Sequence, residues 1–270
     1  MHDKILLITL ACYLSAVILL YTAVVQGSSQ KRTFAAILTF AGVLLHAWAQ
    51  SEHWLQTVAP EISLLNVMSL CALVTVAIPL GTLPLRKNLF DASLVVLPLA
   101  VLTVIAEIVL DAPSLKMTQD SVAITVHIIS SVVAFGILSI AGVYALFAAI
   151  IDHFLRHHNL NPLIKTLPAL EVLESLLFKL ITTGLVLLSV SLVSGLLFIN
   201  DIFAQHLLHK TVLSIMAWLV FALLLWGRWR YGWRGSLAVR MTLAGILLLL
   251  LAYFGSKLVL EVFLGRNWQS

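Results

Sequence analysis

Residues 122–151 read VAITVHIISSVVAFGILSIAGVYALFAAII, an unbroken run without an Asp, Glu, Lys or Arg. Crossing the ~30 Å hydrocarbon core of a bilayer takes roughly 20 such residues in a helix. The run shows no period-two alternation, which rules against a barrel strand. A helix is the form that satisfies every backbone N–H and C=O within one segment in lipid. Working outward, comparable runs lie near residues 5–25, 34–50, 62–80 and 92–110 before it, and 176–199, 212–227 and 237–264 after it. Hydrophobic residues make up 61% of the 270-residue chain and charged residues 10%. A water-soluble domain could not cover that much apolar surface with so few charges. The expected fold is all-α: a polytopic membrane protein of eight transmembrane helices forming a single transmembrane domain over residues 1–270. The first run is too long for a signal-peptide core and no A-x-A site follows it, so it is expected to stay as a helix.

The cations sort by gap. Lys31 and Arg32 follow the first run, and Arg86 and Lys87 follow the third. Arg156, Lys165 and Lys179 come after the fifth, and Arg228, Arg230, Arg234 and Arg240 after the seventh. Most of the 16 Lys and Arg residues thus lie on one side, which the positive-inside bias makes the cytoplasm. Both chain ends then face outward. The other gaps carry Glu52, Glu61, Asp111, Asp120 and Asp201. The net charge of +4 is accordingly a topology signal. Split among short loops, these arginines make no footprint for nucleic acid. After the fifth run, residues 163–177 place Glu171 and Glu174 at i and i+3 among apolar residues, the pattern of an amphipathic helix along the cytoplasmic interface.

Catalytic signatures are missing from the sequence: it holds no G-x-S-x-G, H-E-x-x-H or P-loop pattern. A non-catalytic binding role is the expectation. Cys12 and Cys71 sit in separate apolar runs with no C-x-x-C or C-x-x-C-H, which excludes a redox dithiol or covalently attached haem and leaves buried small hydrophobes.

Histidine carries more information. His153, His157 and His158 fall at the cytoplasmic end of the fifth run, where polar residues need no special role. His2 stands at the terminus and is given no function. The remaining five gather toward the outer side. By helical rise, His46 and His127 lie within about 10 Å of the outer ends of their spans; His53, His206 and His209 are expected in outer loops. An intramembrane ionisable residue is costly and by default a functional candidate, although a single histidine can simply bond across a helix interface. Together, His46, His127, His206 and His209 form a candidate ligand set, with His46 and His127 the candidates for the metal itself. Zinc would bring carboxylate or thiolate ligands at close spacing; Glu52 and Asp201 are available, but their spacing carries no zinc signature. Haem b needs only one or two neutral imidazoles, an apolar pocket and cations near its propionates. Lys210, Lys116 and Lys257 are the candidate cations.

Several stretches resemble a known family: His127-Ile128, Leu167-Pro168-Ala169-Leu170-Glu171, Gly184 and Gly195, Lys210 and Trp218, Gly232-Trp233-Arg234-Gly235, and Tyr253-Phe254-Gly255. In this order they resemble the CcsA/CcmC/CcmF haem-handling superfamily of cytochrome c assembly, in its HemX-like branch, over about residues 120–265. Leu45-His46 and Asn66-Val67-Met68-Ser69-Leu70 extend the likeness into the first half. The resemblance implies a bacterial inner-membrane protein with eight helices, haem chemistry on the outer, periplasmic face, and both termini on that side. It places His127 where the family has its first external haem-ligand histidine. Two features depart from the pattern. The tryptophan-rich WWD loop is replaced by residues 200–210, Asn-Asp-Ile-Phe-Ala-Gln-His-Leu-Leu-His-Lys, of which only Lys210 keeps its place. The second external histidine is replaced by Leu264. His206 and His209 are positioned to supply substitutes.

Two functional readings follow. The first is a haem-binding protein that holds haem b near the outer face and lacks the platform for presenting it. The second is a cofactor-free accessory or regulatory subunit of another inner-membrane protein, contacting it through residues 163–177. A small-molecule transporter is disfavoured because no inverted repeat or matching pair of broken helices is visible. Glu107 and Lys257 are candidates to pair within the bundle or snorkel outward, and Gly184, Ser191 and Gly195 share a face suited to close helix approach.

Overall fold

A computed structural model describes residues 2–55, 61–62, 64–84, 87–110, 115–116, 122–156, 170–198 and 205–255. The described residues are helical almost throughout. Successive elements are α1 (His2–Gln26), α2 (Ser29–Leu55), α3 (Leu64–Gly81), a 3-10 turn (Lys87–Ala92), α4 (Ser93–Val109), α5 (Val122–Arg156), α6 (Leu170–Phe198), α7 (Gln205–Tyr231) and α8 (Ser236–Leu250), the last prolonged by a π turn, Leu251–Gly255. Two-residue strands β1 (Glu61–Ile62) and β2 (Leu115–Lys116) pair antiparallel, Glu61 opposite Lys116. Seven of the described helices are long and apolar enough to cross a membrane. The eighth expected span, α3, has a shorter apolar stretch, Leu65–Gly81.

The chain divides into two compact units: residues 1–121 with 151–172, and residues 122–150 with 173–270. The first boundary falls at the start of α5; the other two fall inside α5 and inside α6.

In the first unit, α1 and α2 form a hairpin closed at Gly27, whose φ of +65° suits a residue without Cβ. Ser28 N–H bonds the Ala23 carbonyl at 2.9 Å, closing the end of α1. The helices meet closely at Gly42, where a Cβ would stand 2.6 Å from the Tyr13 ring. At this turn end, Arg32 grips Asp91 with two parallel bonds, Nε to Oδ1 at 2.7 Å and Nη2 to Oδ2 at 2.8 Å. Both residues are buried. Breaking such a pair from one side costs about 3–5 kcal/mol, because a charge is left unmatched. Arg32, expected only as a topology signal, is an internal tie between the start of α2 and the lead into α4.

The second unit packs its helices through small residues. Gly184 of α6 admits Leu138 of α5, Gly142 of α5 faces Ile246 of α8, and Gly245 of α8 admits the Phe221 ring of α7. The turn between α7 and α8 uses positive φ at Gly232 and Gly235. Its Gly235 N–H donates to the Glu174 carboxylate of α6 at 2.9 Å. Residues 170–177, expected to belong to an interfacial amphipathic helix, are the first two turns of α6; residues 163–169 lie outside the described residues. Glu174 is polar because it caps a turn.

The outward surface is apolar. Ile18, Phe40, Leu102 and Val186 are each more than half exposed. In water such a surface would be an aggregation liability; against acyl chains it is the expected exterior of a multi-pass membrane protein.

Candidate functional site

His127 lies near the start of α5, half-buried, in the second unit. Its Nδ1 is 2.8 Å from the Ser191 carbonyl oxygen of α6. A carbonyl can only accept, so Nδ1 carries the proton and Nε2 keeps its lone pair. Nε2 has no hydrogen-bond partner among the described residues. The ring rests on Gly195, where a Cβ would stand 2.9 Å from Cε1 and 3.2 Å from Nδ1. The absence of a side chain there also opens the Ser191 carbonyl: in a helix that oxygen already accepts from the N–H of residue 195, and a Cβ at 195 would overhang it.

Hydroxyls fix the surrounding backbone. Ser130 and Ser131 Oγ donate to the His127 carbonyl, and Ser131 Oγ also meets Ser191 Oγ at 2.6 Å. Ser194 Oγ donates to the Ser191 carbonyl at 3.0 Å and stands 3.4 Å from Nδ1. From the π turn, Tyr253 Oη donates to the Ser131 carbonyl at 3.0 Å, with its ring packed on Phe135. Ser191 and Gly195, expected to serve close helix approach, do more: one supplies the carbonyl that orients the imidazole and the other makes room for the ring. The available signal was the recurrence of small hydroxyls at i+3 and i+4 from His127, and of Ser191, Ser194 and Gly195 along one stripe of α6.

His46 lies fully buried in the first unit, near the end of α2. Both its ring nitrogens are engaged: Nδ1 with Tyr13 Oη at 3.3 Å, and Nε2 with Ser69 Oγ at 2.8 Å. Ser69 Oγ also bonds Glu107 Oε2. Gln50 Nε2 donates to both Glu107 oxygens at 3.1 and 3.3 Å, and His2 Nε2 stands 3.6 Å from Oε1. Four helices therefore contribute to one polar chain, Tyr13–His46–Ser69–Glu107, with Gln50 and His2 at its far end. Glu107 is held within this chain, while Lys257 lies outside the described residues. His2, given no function from the sequence, joins this group. A buried imidazole satisfied on both sides has no nitrogen to offer iron unless one bond is given up.

The other candidates are placed by backbone only. His206 and His209, expected in a loop, fall in the opening turns of α7, which begins at Gln205. Their side chains lie outside the described residues, as does that of His53. Lys116 is in β2 and Lys210 in α7. Residues 200–204, the rest of the replaced loop, and Leu264 lie outside the described residues, as do His157 and His158. Among the described residues, no three His, Cys, Asp or Glu side chains group to hold a metal ion. That bears on a zinc-type site; a haem iron needs only one or two imidazoles. His127 fits that role: one nitrogen anchored as a donor to a carbonyl, the other presenting its lone pair, and the ring seated on a glycine.

The chain is 30% identical over 258 residues to the inner membrane protein YpjD of Escherichia coli (strain K12), covering 95% of this chain and 97% of that protein. It is 32% identical over 108 residues to the cytochrome c biogenesis protein CcsA of Prochlorococcus marinus (strain NATL1A), covering 38% of this chain and 34% of that one. No solved structure matches. The family described as cytochrome c assembly protein matches residues 4–264. Over nearly its whole length, then, the chain belongs to the cytochrome c assembly protein family.

Proposed function

We propose that the chain is a non-catalytic haem-binding protein of the bacterial inner membrane, holding haem b near the periplasmic face, where both termini also lie. The single observation that carries the reading is His127: Nδ1 donates to the Ser191 carbonyl, so Nε2 is the coordinating nitrogen in the correct tautomer before any iron arrives. This pairing is how metal-bound imidazoles are held in general, and it raises their basicity as ligands. His206 and His209 are the candidates for a second ligand. His46, in the first unit, keeps both ring nitrogens engaged, with Tyr13 and Ser69. Lys210 is the candidate propionate partner. Bound haem would supply a redox-active iron and a visible chromophore; His127, oriented by the Ser191 carbonyl, would hold it.

Without tryptophans in residues 200–210, the chain lacks a platform for offering haem to another protein, so storage or relay fits it better than ligation of haem to a cytochrome. The test is an optical spectrum of the full chain purified from haem-replete cells. A Soret band with a pyridine haemochrome of b type is expected. A colourless protein that also fails to take up added haem would overturn the proposal and leave the accessory-subunit reading in its place.

A further inference from the structure

The first unit carries a groove of about 560 Å³, remote in the fold from the end that holds His46. It runs from Arg32 past Ile37 and Phe40 of α2 and is walled by Leu80, Gly81 and Leu83 at the end of α3. From Arg32 to Phe40 it follows α2 for about 12 Å. Ile37 and Phe40 are 57% and 56% exposed, so its apolar wall faces outward. Ala36 lies on its floor, within a core formed with Leu20, Val24 and Phe90.

The chemistry changes sharply at one end. Asp91 takes Nε and Nη2 of Arg32, while Nη1 has no hydrogen-bond partner among the described residues. The guanidinium is therefore locked by one edge and offers the other at the head of an apolar trough. Lys31 stands beside it, its Nζ on Gln26 Oε1 at 2.6 Å. Asp91 is thus matched by one edge of Arg32, and the other edge is open at the head of the groove. An occupant must bring an anionic acceptor at that end and hydrocarbon behind it. A partner helix packed on the trough would cover the open N–H edge with apolar surface, at the cost of leaving it unsatisfied.

From this placement we infer a binding site for an anionic phospholipid, its phosphate on the open edge of Arg32 and one acyl chain along the groove. Arginine suits phosphate because its planar fork offers parallel donors. Basic pockets between transmembrane helices are recurrent sites for anionic headgroups. Asp91 acts as a positioning residue: it fixes which edge of the guanidinium points into the groove.

The experiment uses the full chain, delipidated in mild detergent and titrated with dioleoylphosphatidylglycerol or dioleoylphosphatidylethanolamine, with bound lipid counted by native mass spectrometry. Wild type should hold one phosphatidylglycerol at least tenfold more tightly than phosphatidylethanolamine. Gly81→Leu sets a bulky side chain on the wall of the trough, where its Cβ meets nothing within 4 Å; it should lower phosphatidylglycerol affinity at least tenfold. Arg32→Lys keeps a cation on Asp91 but removes the second edge, and should abolish the preference between the two lipids. Leu102→Ala, on the outward face of α4, should change neither. Equal affinity of wild type and Gly81→Leu for phosphatidylglycerol, or no preference between the lipids in wild type, would overturn the inference.

Discussion

Gly195→Ala is the most informative single substitution, because two physical effects oppose each other there. In a bare helix it stabilises by about 0.5–1 kcal/mol, since alanine loses less backbone freedom. Here the new Cβ would stand 2.9 Å from Cε1 of His127, whereas carbon atoms rest at about 3.5–4.0 Å. The ring must therefore withdraw by about 0.6–1.1 Å. Withdrawal along the bond to Ser191 lengthens the 2.8 Å contact to about 3.4–3.9 Å, beyond a useful hydrogen bond. Losing the group that orients a metal-bound imidazole typically costs about 10–100-fold in affinity, or about 1.4–2.7 kcal/mol. The assay is a haem titration followed at the Soret maximum, with thermal unfolding of the haem-free protein in detergent alongside. Gly184→Ala is the control: its Cβ would press on Leu138, 2.6 Å away, far along α6 from His127. It should lower thermal stability and leave haem affinity per folded molecule unchanged. A Gly195→Ala protein that is more stable and binds haem within twofold of wild type would refute the reasoning.

Other outcomes follow from the same geometry. Asp91→Ala leaves the buried Arg32 guanidinium unmatched and should destabilise the chain by about 3–5 kcal/mol, read as a lower melting temperature by circular dichroism; Asp91→Asn, which keeps one acceptor oxygen, should lose less. Ser69→Ala removes the partner of both His46 Nε2 and Glu107 and should cost about 1–3 kcal/mol, with haem affinity unchanged. A Ser69→Ala protein that binds haem more tightly would instead make His46 an iron ligand once its nitrogen is released.

Much of the helical order was legible in the sequence because an apolar window of bilayer length has one structural solution. Helix ends were less so. α7 begins at Gln205 rather than near 212, and α6 at Leu170 rather than near 176, since a hydropathy window marks the hydrocarbon crossing and helices continue past it. The division into two units was not legible because two of its three boundaries fall within α5 and α6, where composition does not change. For the site, His46 and His127 were visible as polar residues in apolar runs. Their surroundings were not: the Ser191 carbonyl is main chain, 64 positions away, and Tyr13 and Ser69 are common residues whose roles arise only when four helices meet. Arg32 shows the same limit, since a cation in a gap between apolar runs looks alike whether it is solvated or paired with Asp91.

The most direct test of the central claim is chemical rescue at residue 127. In His127→Gly, haem affinity should fall by at least tenfold, and adding free imidazole should restore the Soret maximum of the wild-type protein, because the small molecule can occupy the vacated position beside Gly195. A His127→Gly protein that binds haem as wild type does, with a spectrum indifferent to imidazole, would contradict the assignment of His127 Nε2 to the iron.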